Sequence, residues 1–398
     1  MNRNGRQPPF AFPVLAYGFR PFFLLAGLYG WAAMIAWLLV YLGTVPTPES
    51  FPPALLHAHE MLFGFAAATI AGFFLTAVPG WTGGTPVAGA RLLALVLLWA
   101  AGRTAMWAAD VVPPWLVALI DLSFLPALAA AVAPTILRSG AKRNLAFMPV
   151  LGLLVAGNAL IHLDRLGVTD YAGSLGATLA VDAIAVLIAL VGGRIVPAFT
   201  RTALAARGET ASVATRPPIE GAAIGLTLLV ALADAAMLPA VAGVAALAAA
   251  VAHALRMSGW QTRKTLGEPI LWVLHLGYAW LALGFLVKGL AALVVPLPGA
   301  SAVHGLAVGA IGTMTLAVMS RAALGHTGRA LVAPIPVAVA YLLVSAAALS
   351  RVALGLVMPG HYELAVVIAG ALWAGAFGLF FAAFWPVLTR PRVDGAPG

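Results

Sequence analysis

The chain has 398 residues, 62% of them hydrophobic and 9% charged, with a mean hydropathy of +1.00. That composition excludes an ordinary soluble domain, and the absence of cysteine excludes disulfides, thiolate ligands and a C-x-x-C-H haem attachment. The net charge of +9 suggests nucleic acid only until the charges are mapped along the chain.

Met1 to Pro13 is polar and carries proline, without the order of a removable signal peptide. Residues 1–21 are expected to be a cytoplasmic segment. Twelve apolar runs then follow, each near the roughly 20 residues that a membrane crossing needs. The first half predicts Phe22–Leu42, His57–Val78, Ala90–Trp107, Trp115–Leu137, Leu145–Leu163 and Ala172–Gly193. The second predicts Ile219–Met237, Pro239–Leu255, Glu268–Leu290, Ser301–Ala323, Val332–Leu354 and Leu364–Leu388. None shows barrel-like alternation, so the fold class is all-α: one polytopic domain over 22–388 and a cytoplasmic tail over 389–398.

Alternate loops divide the 22 basic residues unevenly. Only Arg103, Arg165, Lys288 and Arg351 fall on one side. The remainder, with Arg3, Arg6, Lys142 and Arg143 among them, fall on the other. The positive-inside rule then puts both termini in the cytoplasm. The basic balance is a topology signal, and no nucleic-acid partner is expected.

The same map sorts the eight histidines. His57, His59, His162, His304 and His361 lie at outer span ends or in an outer loop. His253 and His275 lie in the inner half, where a structural hydrogen bond competes with metal or proton chemistry. His326 falls in an inner turn, and His361, beside Tyr362 and Glu363, reads as solvated. The densest signal is His57-Ala-His-Glu60, two imidazoles and a carboxylate where an apolar span begins. Ionisable groups at that depth need a partner or a purpose.

Residues i and i+2 point about 200° apart on a helix, so His57 and His59 cannot share one ion from a regular turn. Either they serve two adjacent sites, or His57 lies in the loop after Pro52-Pro53 and folds back. His162 has Asn158 one turn earlier on its face, either a polar patch or a support for a metal ligand. After His304, Gly305 and Gly309 permit close approach by a helix or by a flat macrocycle. Arg103 is suited to a haem propionate, or to Glu60 or Asp110. Asp121, Asp182 and Asp234 are further acids near outer span ends.

The run His57-Ala-His-Glu-Met-Leu-Phe-Gly-Phe-Ala-Ala-Ala, continuing to Thr76-Ala-Val-Pro-Gly-Trp-Thr-Gly83, resembles the signature of the NnrS family. So do Gly192-Gly-Arg-Ile-Val-Pro-Ala-Phe-Thr200, Trp272-Val-Leu-His-Leu-Gly-Tyr-Ala-Trp280, His304 to Gly312, and Met319-Ser-Arg-Ala-Ala-Leu-Gly-His-Thr-Gly-Arg329. The resemblance implies a bacterial inner-membrane protein holding non-covalent haem b and copper, linked to nitric oxide and nitrosative-stress tolerance. Its architecture would resemble the twelve-helix catalytic subunits of haem-copper oxidases. By that likeness His59 and His304 are the expected haem ligands, with His57 the substitute for His59 and Arg103 beside the cofactor. The sixth and seventh spans lack the copper-holding histidines of the oxidases. Copper is therefore expected on His57 with His162, then His361, with His253 and His275 further candidates.

Two rival readings come from the residues. One is a secondary transporter using Glu60, His275 and Arg194, with the inner connection Thr200–Pro218 at mid-chain. Against it, the halves show no matching repeat. The other is a regulatory membrane subunit whose histidines are all structural.

Overall fold

The computed structural model describes residues 12–140, 144–210, 212–295, 299–354, 357 and 359–396. Arg3, Arg6, Lys142 and Arg143 lie outside the described residues. Among those described there is no strand, and twelve helices are long and apolar enough to cross a membrane. They are α1 (Phe19–Tyr41), α2 (Pro53–Thr82), α3 (Ala90–Trp107), α4 (Pro114–Arg138), α5 (Phe147–Arg165) and α6 (Ala172–Ala206). Then come α7 (Pro217–Ala235), α8 (Pro239–Met257), α9 (Pro269–Leu293), α10 (Ala300–His326), α11 (Ile335–Leu354) and α12 (Tyr362–Thr389).

Five of these helices, α2, α4, α7, α8 and α9, open on a proline. Proline lacks an N–H and has a helical φ already fixed, so at this position it forfeits no hydrogen bond. Large apolar side chains such as Leu97, Trp115, Leu119, Leu232 and Val244 stay exposed, as a lipid-facing surface requires.

The helices form two compact units. The first holds residues 1–180, 319–331 and 377–398, and the second 181–318 and 332–376. In the first, α2 packs on α1 and on α4, and α4 also packs on α3 and α5. In the second, α8 packs on α7 and α9, while α10 packs on α9 and α11.

Three local features depart from the sequence reading. The helix α2 begins at Pro53, so His57 is helical and does not lie in the loop. From Glu60 to Ala66 α2 widens into a π-helix, as do Gly305–Gly312 in α10 and Ser350–Leu354 in α11. Finally, α6 does not stop at Gly193 but continues to Ala206. Gly193 instead makes room: a Cβ there would overlap the guanidinium of Arg256. That guanidinium donates to the Ala189 carbonyl (2.7 Å), to the Tyr278 hydroxyl (2.6 Å) and to Glu220.

The glycines after His304 also find their reason. A Cβ on Gly305 would sit 3.1 Å from the Gly284 Cα of α9, and Cβ atoms on Gly309 and Gly312 would strike the rings of Trp280 and Trp373. Helix packing takes up the close approach that these glycines permit. Gly305→Val is therefore expected to lower stability by about 1–3 kcal/mol through overpacking. Thermal unfolding of the detergent-solubilised protein checks it; an unchanged midpoint would contradict the α9–α10 contact.

Candidate metal centre

The first unit gathers six polar side chains at one depth, all nearly or fully buried: His59, Glu60, Arg103, Asp121, Asn158 and His162. They come from α2, α3, α4 and α5, and the sequence sets each locally. His59 ends the α-helical start of α2, and Glu60 begins its π turn. Gly64, in that turn, leaves space where a Cβ would overlap the Tyr29 ring and press on the Arg103 stem. Gly102 does the same on α3, where a Cβ would lie 3.0 Å from Asp121 Oδ1. Asn158 and His162, four residues apart on α5, share the face turned to the cluster.

Arg103 is the hub. One terminal nitrogen donates to Glu60 Oε1 at 2.6 Å and the other to Asp121 Oδ1. The Tyr29 hydroxyl donates to Glu60 Oε2 and accepts from Trp107 Nε1 at 2.9 Å. Asp121 Oδ2 is approached by Asn158 Nδ2 (2.8 Å), His162 Nε2 (2.9 Å) and His59 Nε2 (3.1 Å). His59 Nε2 also lies 2.9 Å from Asn158 Oδ1, and its Nδ1 lies 2.8 Å from Glu60 Oε1.

This arrangement has an electrostatic consequence. Each ring nitrogen of His59 faces a carboxylate oxygen, and a neutral imidazole has a proton for only one of them. Two carboxylates stand against the single charge of Arg103, which leaves the buried set one positive charge short. An imidazolium at His59 or a bound cation completes it. One donor atom each from His59, Asp121 and His162 lies within 4.8 Å of the other two, so the three can ligate one ion. His162 Nδ1 and Arg103 Nε are buried without a hydrogen-bond partner.

The cluster is covered. The ring of Phe63 lies 5.2 Å from that of His59, and Phe51 lies 6.5 Å away on the loop before α2. Arg165 stacks 4.6 Å over Phe51 and donates to Ser50 Oγ and the Ala109 carbonyl. Asp110 accepts the backbone N–H groups of Glu49 and Ser50, so it holds this loop and does not pair with Arg103.

The other expected histidines divide clearly. His57 stacks on Trp37 with centroids 4.4 Å apart. The structure therefore brings His162 to His59, not to His57. In the second unit, His253 Nδ1 lies 2.8 Å from the Tyr278 hydroxyl and its Nε2 lies 2.9 Å from Thr227 Oγ1. Thr227 gives its own proton to the Ala223 carbonyl, so it accepts from Nε2–H and the tyrosine donates to Nδ1. His275 is held in the same way, between Thr200 and Thr262. Both rings have spent their lone pair on hydrogen bonds.

His304 differs, since its Nδ1–H donates to the Ala300 carbonyl of its own helix. Nε2 is then the nitrogen able to bind a metal. His361 is exposed at the start of α12, in line with its solvated reading. His326 ends α10 against the rings of Tyr17 and Phe19.

Sequence reasoning named Asn158 as a companion of His162 and Glu60 as a partner for Arg103. It did not single out Asp121 or Tyr29 for the site. For Asp121 a signal existed, because it is the only acid in the run Trp115–Leu137. Tyr29, one aromatic among many in α1, offered none.

A family model described as NnrS protein matches residues 13–392. The chain belongs to the NnrS family. No curated protein matches it. NnrS membership agrees with the resemblance carried by the residues around His59, and the twelve apolar helices make this a multi-pass membrane protein.

Breaking the hub should be costly. Arg103→Met strands two buried carboxylates and is expected to lose about 3–5 kcal/mol of stability. Adding Asp121→Asn to that variant removes one stranded charge and should recover part of the loss. Thermal unfolding of the single and double variants measures the coupling; strict additivity would argue against the ion pair.

Proposed function

We propose that this NnrS-family protein holds copper and non-covalent haem b in the bacterial inner membrane and binds or transforms nitric oxide, protecting against nitrosative stress. The observation that carries the reading is the buried His59–Asp121–His162 set, two imidazoles and a carboxylate short of one positive charge. Each imidazole Nε2 lies about 3 Å from Asp121 Oδ2, which suits a first-row cation with bonds of about 2 Å. Imidazole ligates several such ions, and copper(II) binds a given nitrogen–oxygen site most tightly among them. The asymmetry of basic residues supports a periplasmic position for the cluster.

Copper bound there would supply one-electron exchange and an open coordination position for a small gas. The protein's own groups do the rest. Glu60 accepts from His59 Nδ1–H, fixes the ring and turns Nε2 toward Asp121. Asn158 holds the Asp121 carboxylate, and Arg103 offsets the charge of both acids. Phe51 and Phe63 keep water from the set. Trp37, His57, Trp107 and Glu60 line a small pocket beside the set.

His59, engaged at both nitrogens, would suit a small ion better than haem. His304, whose Nδ1–H is tied to the Ala300 carbonyl, keeps Nε2 for a metal and would be the better haem ligand. Arg103 is committed to Glu60 and Asp121, so it supports the copper set and not a haem propionate.

The purified protein is expected to contain copper and to show a haem Soret band that shifts on adding nitric oxide to the reduced form. His59→Ala and His162→Ala should each remove copper, and His304→Ala should remove haem. Unchanged copper in both of the first two variants would overturn the metal centre. A colourless, metal-free protein would favour a regulatory membrane subunit, with an imidazolium at His59 completing the charge.

A further inference from the structure

The second unit contains a charged cluster that the proposed metal chemistry does not use. Lys288 on α9 donates to Asp182 Oδ1 on α6 at 3.1 Å and to Asp234 Oδ2 on α7. The Asp182 side chain is 1% exposed, and its Oδ2 is buried with no hydrogen-bond partner. Two carboxylates facing one ammonium leave an excess negative charge among apolar helices, which is expensive unless something neutralises it.

We propose that Asp182 and Asp234 form a proton-binding site, in which one proton is held between the two carboxyl groups beside the Lys288 ammonium. One proton on this pair removes the excess charge and gives the cluster an O–H donor for the orphaned oxygen of Asp182. A metal ion fits less well, because Lys288 already occupies the place between the acids where a cation would sit.

Among the described residues, Lys288 is the cation paired with these two acids. At the level of Lys288, α8 brings Gly243 and Leu247 against Gly289 of α9. The titratable groups of α8 are turned elsewhere: His253 bonds to Thr227 and Tyr278, and Arg256 bonds to Glu220 and Tyr278. On α10, His304 bonds to its own helix. On α9, His275 lies between Thr200 and Thr262.

The cluster also has a closed end and an open end. Asp182 is sealed, while the Lys288 and Asp234 side chains are 18% and 16% exposed. Asp234 lies in the last turn of α7. A proton therefore arrives at Asp234 and is shared with Asp182, without the cluster opening.

Infrared difference spectroscopy of the full-length protein between two pH values tests this. The expected result is a protonated-carboxyl band that appears as pH falls, shifts in heavy water and moves on isotopic labelling of aspartate. Asp182→Asn and Asp234→Asn each mimic the protonated partner. Each should abolish the band yet leave the thermal midpoint within a few degrees of wild type. A plain structural ion pair would instead lose stability in both and show no band. Lys288→Met should keep the band to higher pH.

The proposal is overturned by absence of a labelled aspartate band in the wild type, or by its persistence in either folded Asn variant. A band that responds to replacing sodium with choline would also overturn it, in favour of a sodium site. The wild-type labelling result stands even if a variant does not fold.

Discussion

The first unit depends on one cation shared between two acids. Arg103 bridges Glu60 and Asp121, which reside on different helices, and Tyr29, His59, Asn158 and His162 each attach to one of those carboxylates. Without the bridge, two desolvated negative charges would face each other in hydrocarbon, at several kcal/mol each. The bridge also explains why α2, α3, α4 and α5 meet where they do. The glycines at positions 64 and 102 then leave room for Tyr29 and the Arg103 stem, and for Asp121, respectively.

Much of the architecture was legible because the bilayer imposes it. The twelve apolar runs reappear as helices, and Ala90–Trp107 agrees at both ends. Errors arose where packing overrides local signals. Gly192-Gly193 read as a helix end, but the helix runs through it and uses the missing side chain to admit Arg256. The site was legible as depth but not as pairing. The sequence singles out His59, Glu60, Arg103, Asn158 and His162, yet only the fold shows that His162 joins His59 through Asp121 while His57 stacks on Trp37. The i, i+2 spacing did foretell two directions for the histidine pair.

The histidines separate by what their neighbours can donate. At His253 and His275 the flanking groups are hydroxyls, which both give and accept a proton, so a neutral ring is satisfied on both sides. At His59 the flanking groups include two carboxylates, which only accept. Equal burial thus yields opposite chemistry: a hydroxyl environment quiets an imidazole, and a carboxylate environment demands added positive charge. Histidine count and depth, all that sequence offers, cannot distinguish these cases.

The choice of cation sharpens the contrast between the two charged clusters. Arginine presents two nitrogens in a fixed plane, so Arg103 sends one to each acid and holds both in register. Its charge stays on under all ordinary conditions, so one further positive charge, an imidazolium at His59 or a bound cation, balances the set. Lys288 is a point charge on a flexible stem, reaching two acids with a single nitrogen. That geometry leaves Asp182 Oδ2 unsatisfied, so the smallest cation, a proton, suffices there. Where imidazoles and an amide converge on the acid, the deficit takes the shape of a coordination set; where they are missing, it takes the shape of a proton.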